Sequence, residues 1–313
     1  MGWYVGGGIA AIFLLIFLTA LICFFKVFYL PKHKPMGMDE YDIPEGGIYE
    51  PHREQLTAWM REIRRMEREP VEITSFDGLT LRGMYYECKK GATVELLFHG
   101  YRGNAERDLC GGVERCFALG RNAILIDQRG GGASEGRVST FGVNERRDCL
   151  AWIDYAIKRF GADVKLVIGG VSMGAATVMM AAGEDLPKNV VCVMADCGYS
   201  SAKEIICLVM KKLHLPPKLL YPFVRLSAKW FGGFDLEETS PMEAVKRSKT
   251  PIVFIHGDTD DFVPCEMSRA LYEACVSQKK FAVIPGAGHG LAYPVDKEAY
   301  LNALRDFEKE CGF

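Results

Sequence analysis

The sequence has no CxxC pair, no excess of basic or acidic side chains, no low-complexity tract, and no charged residue in its first 25 positions. Each absence excludes something. Eleven cysteines are present, an odd number, but the six histidines do not cluster with them, so the pattern of a zinc site is missing. Several cysteines sit in apolar runs, such as Cys192 within Val190–Met194. A thiol there packs as a small hydrophobe. We read the cysteines as free and reduced, which favours a reducing compartment. Lys and Arg total 38 and Asp and Glu 40, giving a net charge of −2. A nucleic-acid binder normally carries a basic excess, so none is expected as a partner. The glycine run 130–132 lacks a following Gly-Lys-Ser/Thr, and no GxGxxG opens a helix after the first strand, which argues against a nucleotide site. No cofactor and no metal are expected. What is present is a 313-residue chain, 49% hydrophobic, with material for the core of a globular α/β protein.

The uncharged run from Met1 to Phe25 covers ~37 Å as a helix, enough to cross a hydrocarbon core of ~30 Å. Trp3 and Tyr4 at one end, and Phe28 and Tyr29 at the other, have the placing of aromatic belts. A basic n-region and a small-residue cleavage site, the marks of a cleaved signal peptide, are missing. Position 6 is Gly, so Gly2 does not begin a myristoylation signal. Residues 1–30 therefore read as a retained single-pass anchor. Lys26, Lys32, His33 and Lys34 follow it, which places the rest of the chain on the cytoplasmic side of the membrane. Residues 31–70 read as a linker and an amphipathic helix. Leu56, Trp59, Met60, Ile63 and Met66 recur at helical spacing, as on a helix packed against the domain or lying on a membrane surface.

From 71 to 313 strand and helix patterns alternate. Val71–Phe76 and Leu79–Tyr86 flank Asp77-Gly78 as a hairpin. Strands follow at Thr93–Phe98, Asn122–Ile126, Val164–Ile168, Val190–Met194, Ile252–Ile255 and Phe281–Ile284, with helices at Asn104–Leu119, Asn144–Phe160, Met267–Ser277 and Lys297–Lys309. Such alternation implies a mostly parallel sheet covered on both faces. Residues 201–243 break the pattern. Two amphipathic stretches, Ile205–Leu213 and Leu219–Phe231, are separated by Leu215-Pro216-Pro217 and read as a helical lid over the sheet's C-terminal edge. Its Leu219, Leu220, Phe223, Val224, Trp230 and Phe231 either line an apolar pocket or pack the lid onto the core.

The strongest motif is Gly170-Val171-Ser172-Met173-Gly174, set after a strand and before a helix. A serine on such a turn stands clear of the sheet, and the helix N-terminus presents free N–H groups to a developing oxyanion. Three further blocks stand in order with it: His99-Gly100-Tyr101-Arg102-Gly103-Asn104; Asp127-Gln128-Arg129-Gly130; and His256-Gly257-Asp258-Thr259-Asp260-Asp261-Phe262-Val263-Pro264, followed by Gly288-His289-Gly290. On these blocks the chain resembles the α/β-hydrolase superfamily from about Val71 to Phe313. It is similar to serine-aminopeptidase-like hydrolases and membrane-anchored serine lipases. The resemblance implies an α/β-hydrolase fold with an eight-stranded sheet, no metal, and a triad in the order Ser, acid, His.

The serine needs a base within hydrogen-bond reach. His33 and His52 precede the domain, and His214 lies in the insertion. His99 and His256 end strands, where the family pattern uses such residues structurally. His289, among small residues after the last strand, remains as the base. Asp258, Asp260, Asp261 and Asp196 are candidate acids, and the family pattern His-Gly-x-x-Asp-x-x-Val-Pro selects Asp260. Asp127 reads as structural, fixing the Arg129–Gly132 turn, and Arg102 as a loop cation paired with an acid. Met173, after the nucleophile, supplies one oxyanion N–H, and the family position of the second falls on Tyr101. The reading is a membrane-anchored serine hydrolase acting on an ester or thioester of a small-molecule acyl substrate. The alternatives are a serine peptidase of aminopeptidase type, with Glu237 or Glu238 of the lid holding a substrate ammonium, and a non-catalytic membrane scaffold on the same fold.

Overall fold

The hairpin around Asp77-Gly78 opens the sheet because the turn is closed twice over. Ser75 Oγ bonds Asp77 Oδ1 at 2.6 Å and also accepts from Leu79 N at 2.8 Å. Strands β1 (Glu69–Thr74) and β2 (Thr80–Tyr86) pair antiparallel around it, with Val71 opposite Gly83. The fold is that of a computed structural model, which describes residues 2–32, 37, 39–44 and 46–313, without the side chains of 2–7 and 9. The expected aromatic belt at Trp3 and Tyr4, and the charges of His33 and Lys34, lie outside the described residues.

The remaining strands are β3 (Val94–Phe98), β4 (Asn122–Ile126), β5 (Leu166–Val171), β6 (Val190–Asp196), β7 (Ile252–Gly257) and β8 (Lys279–Ile284). The sheet has eight strands in the order β1-β2-β4-β3-β5-β6-β7-β8. β2 meets β4 antiparallel, and every later pairing is parallel. This is the α/β-hydrolase fold. β3 and β4 are buried at every position, as parallel strands covered on both faces must be. The one charge in them, Glu95, is held by Arg115 at 2.6 Å and Arg121 at 2.5 Å.

Helices α1 (Gly2–Val27), α2 (Arg53–Arg65), α3 (Ala105–Ala118), α4 (Glu145–Phe160) and α5 (Met173–Ala182) come before β6, interleaved with β1–β5. After it come α6 (Ala202–Lys212), α7 (Pro217–Ser227) with a π-helical turn (Ala228–Gly232), α8 (Pro241–Val245), α9 (Cys265–Ala274), α10 (Ala292–Val295) and α11 (Lys297–Cys311). One core joins a sheet face to α4, α5, α8 and α9, through residues such as Trp152, Val178, Val245 and Leu271. The other face carries α2, α3, α10 and α11, through Trp59, Val113, Ala292 and Phe307. The amphipathic helix α2 thus lies on the domain, with Leu56, Trp59, Met60 and Ile63 buried.

A third core was not foreseen. It joins Phe24 and Phe28, at the end of α1 and just beyond it, to Phe141, to Met173 at the start of α5, and to Tyr221 and Val224 of α7. Ser139 N donates to Phe28 O at 2.9 Å, Leu30 N to Arg137 O at 2.8 Å, and Tyr29 forms an antiparallel bridge with Val138. The middle of α1 is exposed, including Ile12, Phe13, Leu14 and Leu15. The window Ala10–Val27 has a mean hydropathy of 2.6, and among the described residues α1 is the one helix long and apolar enough to cross a membrane. The expected anchor is therefore joined to the domain through its last turns. Phe28→Ala should lower stability by roughly 3–5 kcal/mol through the cavity it leaves. Thermal unfolding in detergent measures this, and an unchanged midpoint would show a detachable tether instead.

Candidate active site

β5 runs directly into Ser172, three residues further than its apolar run suggests. Gly169 and Gly170 belong to the strand and not to a turn. Ser172 has φ 56° and ψ −114°, a conformation an L-residue holds only under constraint. The constraint is close approach of backbone. A Cβ on Gly170 would stand 2.1 Å from Gly174 C, and one on Gly174 would stand 2.0 Å from Phe98 O. Ser172 N donates to Asp196 O at 2.9 Å, which pins the turn to β6.

Three side chains from distant parts of the chain meet at this turn. His289 Nε2 lies 2.9 Å from Ser172 Oγ, and His289 Nδ1 lies 2.7 Å from Asp260 Oδ2. With Nδ1–H donating to the carboxylate, Nε2 is left to accept the serine proton. The other oxygen of Asp260 accepts from Phe262 N and Val263 N, both at 2.9 Å. Burial by itself would raise the Asp260 carboxyl, but hydrogen bonds from His256 and His289 outweigh it and hold the group well below the usual carboxylate range. His256, read from sequence as structural, proves to be a second partner of the acid: its Nε2 lies 3.1 Å from Asp260 Oδ2 and 2.9 Å from Val263 O. The four-residue spacing in His256-Gly-Asp-Thr-Asp260 was the signal for that contact.

The other candidates take other places. Asp196 accepts from Tyr300 OH at 2.9 Å, does not bond His289, and is raised by burial. Asp127 accepts from Ala105 N and Ala133 N, fixing the glycine turn. His99 bonds Gly100 O at 2.7 Å and Gln128 N at 3.0 Å. Arg102 does not pair with an acid among the described residues, contrary to expectation; it donates to Lys26 O at 2.9 Å, at the carbonyl end of α1. The N–H groups of Tyr101 and Met173 have no acceptor among the described residues. The loop before Tyr101 lies against Ser172, since a Cβ on Gly100 would stand 3.6 Å from Ser172 Cβ. Tyr101 OH donates to Val27 O at 2.7 Å, so the same residue ties this loop to α1.

A cavity of about 470 Å³ opens onto Ser172 and His289. Its apolar walls are Ile48, Leu56, Val171, Phe262 and Leu291. No residue of 201–243 lines it. Instead of covering the sheet edge over the serine, α6 and α7 pack on α1 and α5, and Leu219 and Trp230 are exposed. The cover nearest the serine comes from the segment expected to be a linker. Gly46 to Tyr49 line the cavity, and Tyr49 OH donates to His289 O at 3.1 Å. Burial, and then the charges of neighbouring acids, keep that phenol neutral. With Tyr49 and His289 separated by 240 positions, sequence carried no signal for the contact.

Cys197, Asp260 and His289 offer ligand atoms within 4.8 Å of one another. Ligands about a zinc ion stand roughly 3.3 Å apart, given bonds of ~2.0 Å. The 2.7 Å contact of His289 with Asp260 is a hydrogen bond instead, and burial keeps the Cys197 thiol protonated. These residues do not fit a metal centre.

The sequence pattern of the prolyl oligopeptidase family matches residues 117–312. The uncharacterized protein YqkD of Bacillus subtilis is 24% identical over 244 residues, covering 78% of this chain and 80% of that one. The uncharacterized membrane protein YNL320W of Saccharomyces cerevisiae is 28% identical over 198 residues, covering 62% and 63% of the two chains. Among solved structures, the Pyrococcus furiosus esterase Pf2001 superposes with a TM-score of 0.65 at 23% identity, over 88% of this chain and 99% of that one. That likeness is one of fold.

Because Asp260 stays ionised far below neutrality, its carboxyl should add no proton to the acid limb of the pH profile, and kcat/KM should fall there with the slope of a single proton. A two-proton slope would show that the carboxyl titrates in that range.

Proposed function

The chain belongs to the prolyl oligopeptidase family, and from that membership and the geometry at Ser172 we propose that it is a membrane-anchored serine hydrolase of acyl esters or thioesters. The observation that carries the proposal is the unbroken line Ser172 Oγ, His289 Nε2, His289 Nδ1, Asp260 Oδ2, with links of 2.9 and 2.7 Å. In this reading His289 takes the hydroxyl proton as Ser172 Oγ attacks the substrate carbonyl. The oxyanion forms between the Tyr101 and Met173 amides, which lack other acceptors among the described residues. His289 then gives its proton to the departing alcohol or thiol, leaving an acyl-serine. Water, deprotonated by His289, attacks that ester, and the serine recovers its proton as the acid leaves. Asp260 keeps the imidazole oriented and offsets its charge in both halves.

The apolar cavity walls favour an acyl group over a charged one. One observation favours the peptidase alternative. Asp261, an exposed residue of the cavity lining, has a carboxylate with no ion pair or hydrogen bond among the described residues, and such a group suits a substrate ammonium. Glu237 and Glu238, considered for that task, are engaged with Arg225 and Arg146 and lie off the cavity. We assign α1 as a single membrane span. By the positive charges after it, the catalytic domain lies on the cytoplasmic side.

A fluorophosphonate, whose phosphoryl oxygen mimics the oxyanion, tests this directly. It should label one residue, fail in Ser172→Ala, and react far more slowly in His289→Ala. Asp260→Asn should cost about 10⁴-fold in kcat. A panel of p-nitrophenyl esters beside aminoacyl amides separates esterase from peptidase. A folded protein that takes no label and cleaves neither class would stand as a scaffold.

A further inference from the structure

We propose that the helical insertion docks on the same lipid bilayer that holds α1, so that the substrate is a lipid-borne ester delivered from that surface. The proposal rests on the reading of α1 as a membrane span. It starts from residues that soluble domains seldom leave in water. Leu213, Leu215, Leu219 and Trp230 are 63%, 43%, 64% and 52% exposed. They stand on one continuous piece of chain, the tip joining α6 to α7 and the turn that ends α7. α7 has two apolar faces. Tyr221, Val224 and Ala228 are buried in the third core, while Leu219, Phe223, Leu226 and Trp230 follow helical spacing on a face left exposed or half-buried.

Charge identifies the occupant. Between 203 and 230 stand six basic residues and one acid, Glu204; Lys203, Arg225 and Lys229 are paired with Asp235 and Glu237, which leaves Lys211, Lys212 and Lys218 as the uncompensated cations of the tip. Lys211 and Lys218 flank the exposed leucines without an acidic partner among the described residues. Exposed leucines between lysines, with a tryptophan beside them, match the boundary between acyl chains and anionic headgroups. A second copy seated symmetrically on this face would set the same lysines against each other.

Position agrees with charge. The Phe231 ring, adjacent to Trp230, meets Phe17 of α1 at 5.5 Å and Phe24 at 5.7 Å. Phe17 is ten residues, ~15 Å of helix, before the end of α1 at Val27. If α1 crosses the membrane, a ring touching Phe17 stands within or at the edge of the hydrocarbon, and the insertion must enter the interface with it. From that surface the path to the serine is short. Lys212 Nζ donates to Asp261 O, and the same ammonium lies 5.9 Å from the centre of the Phe262 ring. Phe262 lines the cavity, with its ring 5.1 Å from that of His289. The cavity mouth therefore lies beside the docked tip.

The full-length protein carries four tryptophans, and Trp59 and Trp152 are buried in the domain. In vesicles of phosphatidylcholine and phosphatidylglycerol with brominated acyl chains, part of the emission should be quenched. Trp230→Phe should remove one quenched component and Trp3→Phe another. If the Trp3 component is quenched and the Trp230 component is not, docking is overturned while the span stands. If neither is quenched, the span itself fails. Lys211→Glu with Lys218→Glu should lower hydrolysis of a long-chain glycerol ester held in those vesicles by roughly tenfold or more relative to a soluble short ester. An unchanged ratio of the two rates overturns delivery from the surface.

Discussion

The structure depends on one strained turn. Ser172 holds φ 56° because glycine on either side lets β5, α5 and the end of β3 approach to distances no side chain would permit. That approach is what lifts the hydroxyl off the sheet and aims the first amide of α5 at the same point. The strain is sustained by packing that is nearly complete around it. Every residue of α5 is buried, and the strand before Ser172 is buried from Leu166 to Gly170. A looser helix would let the serine relax toward an ordinary conformation and lose its line to His289.

Asp260 is held as firmly as Ser172. Asp260 receives two backbone amides on one oxygen and two imidazoles on the other, so it has no freedom to rotate away from His289. The amide loop is fixed differently. Its Tyr101 bonds the last carbonyl of α1, its ring stacks on Phe141 at 5.0 Å, and Phe28 packs against the same Phe141. The helix assigned to the membrane thus helps shape the proposed oxyanion site.

Legibility in the sequence followed the range of the interactions. The hairpin at Asp77-Gly78, the helix expected over 104–119 and the run Asn122–Ile126 depend on neighbours within a few residues, and they were placed closely. Ser172 and His289 were legible because their surroundings, small residues at fixed spacing, are local. Asp260 was chosen over Asp196 by a family pattern; position after a strand alone left both open. What sequence could not show is contact across the fold: Tyr49 on His289, Phe28 on Phe141, or Arg102 on the end of α1. The insertion was misplaced for a related reason. Two apolar faces on one helix state that both will be covered, but not that one meets α1 and the other lies away from the serine. Gly169 and Gly170 looked like a turn because glycine permits one, yet strand pairing with β3 and β6 decides their conformation.

The central claim is that Ser172 carries the acyl group between two half-reactions. Acid-quenching the protein within its first turnovers on a short activated ester, followed by peptide mass spectrometry, tests it most directly. The account predicts a single acyl adduct, on the peptide containing Ser172, that disappears as substrate is exhausted. Turnover with no adduct at any time under burst conditions, or an adduct on another residue, would contradict it.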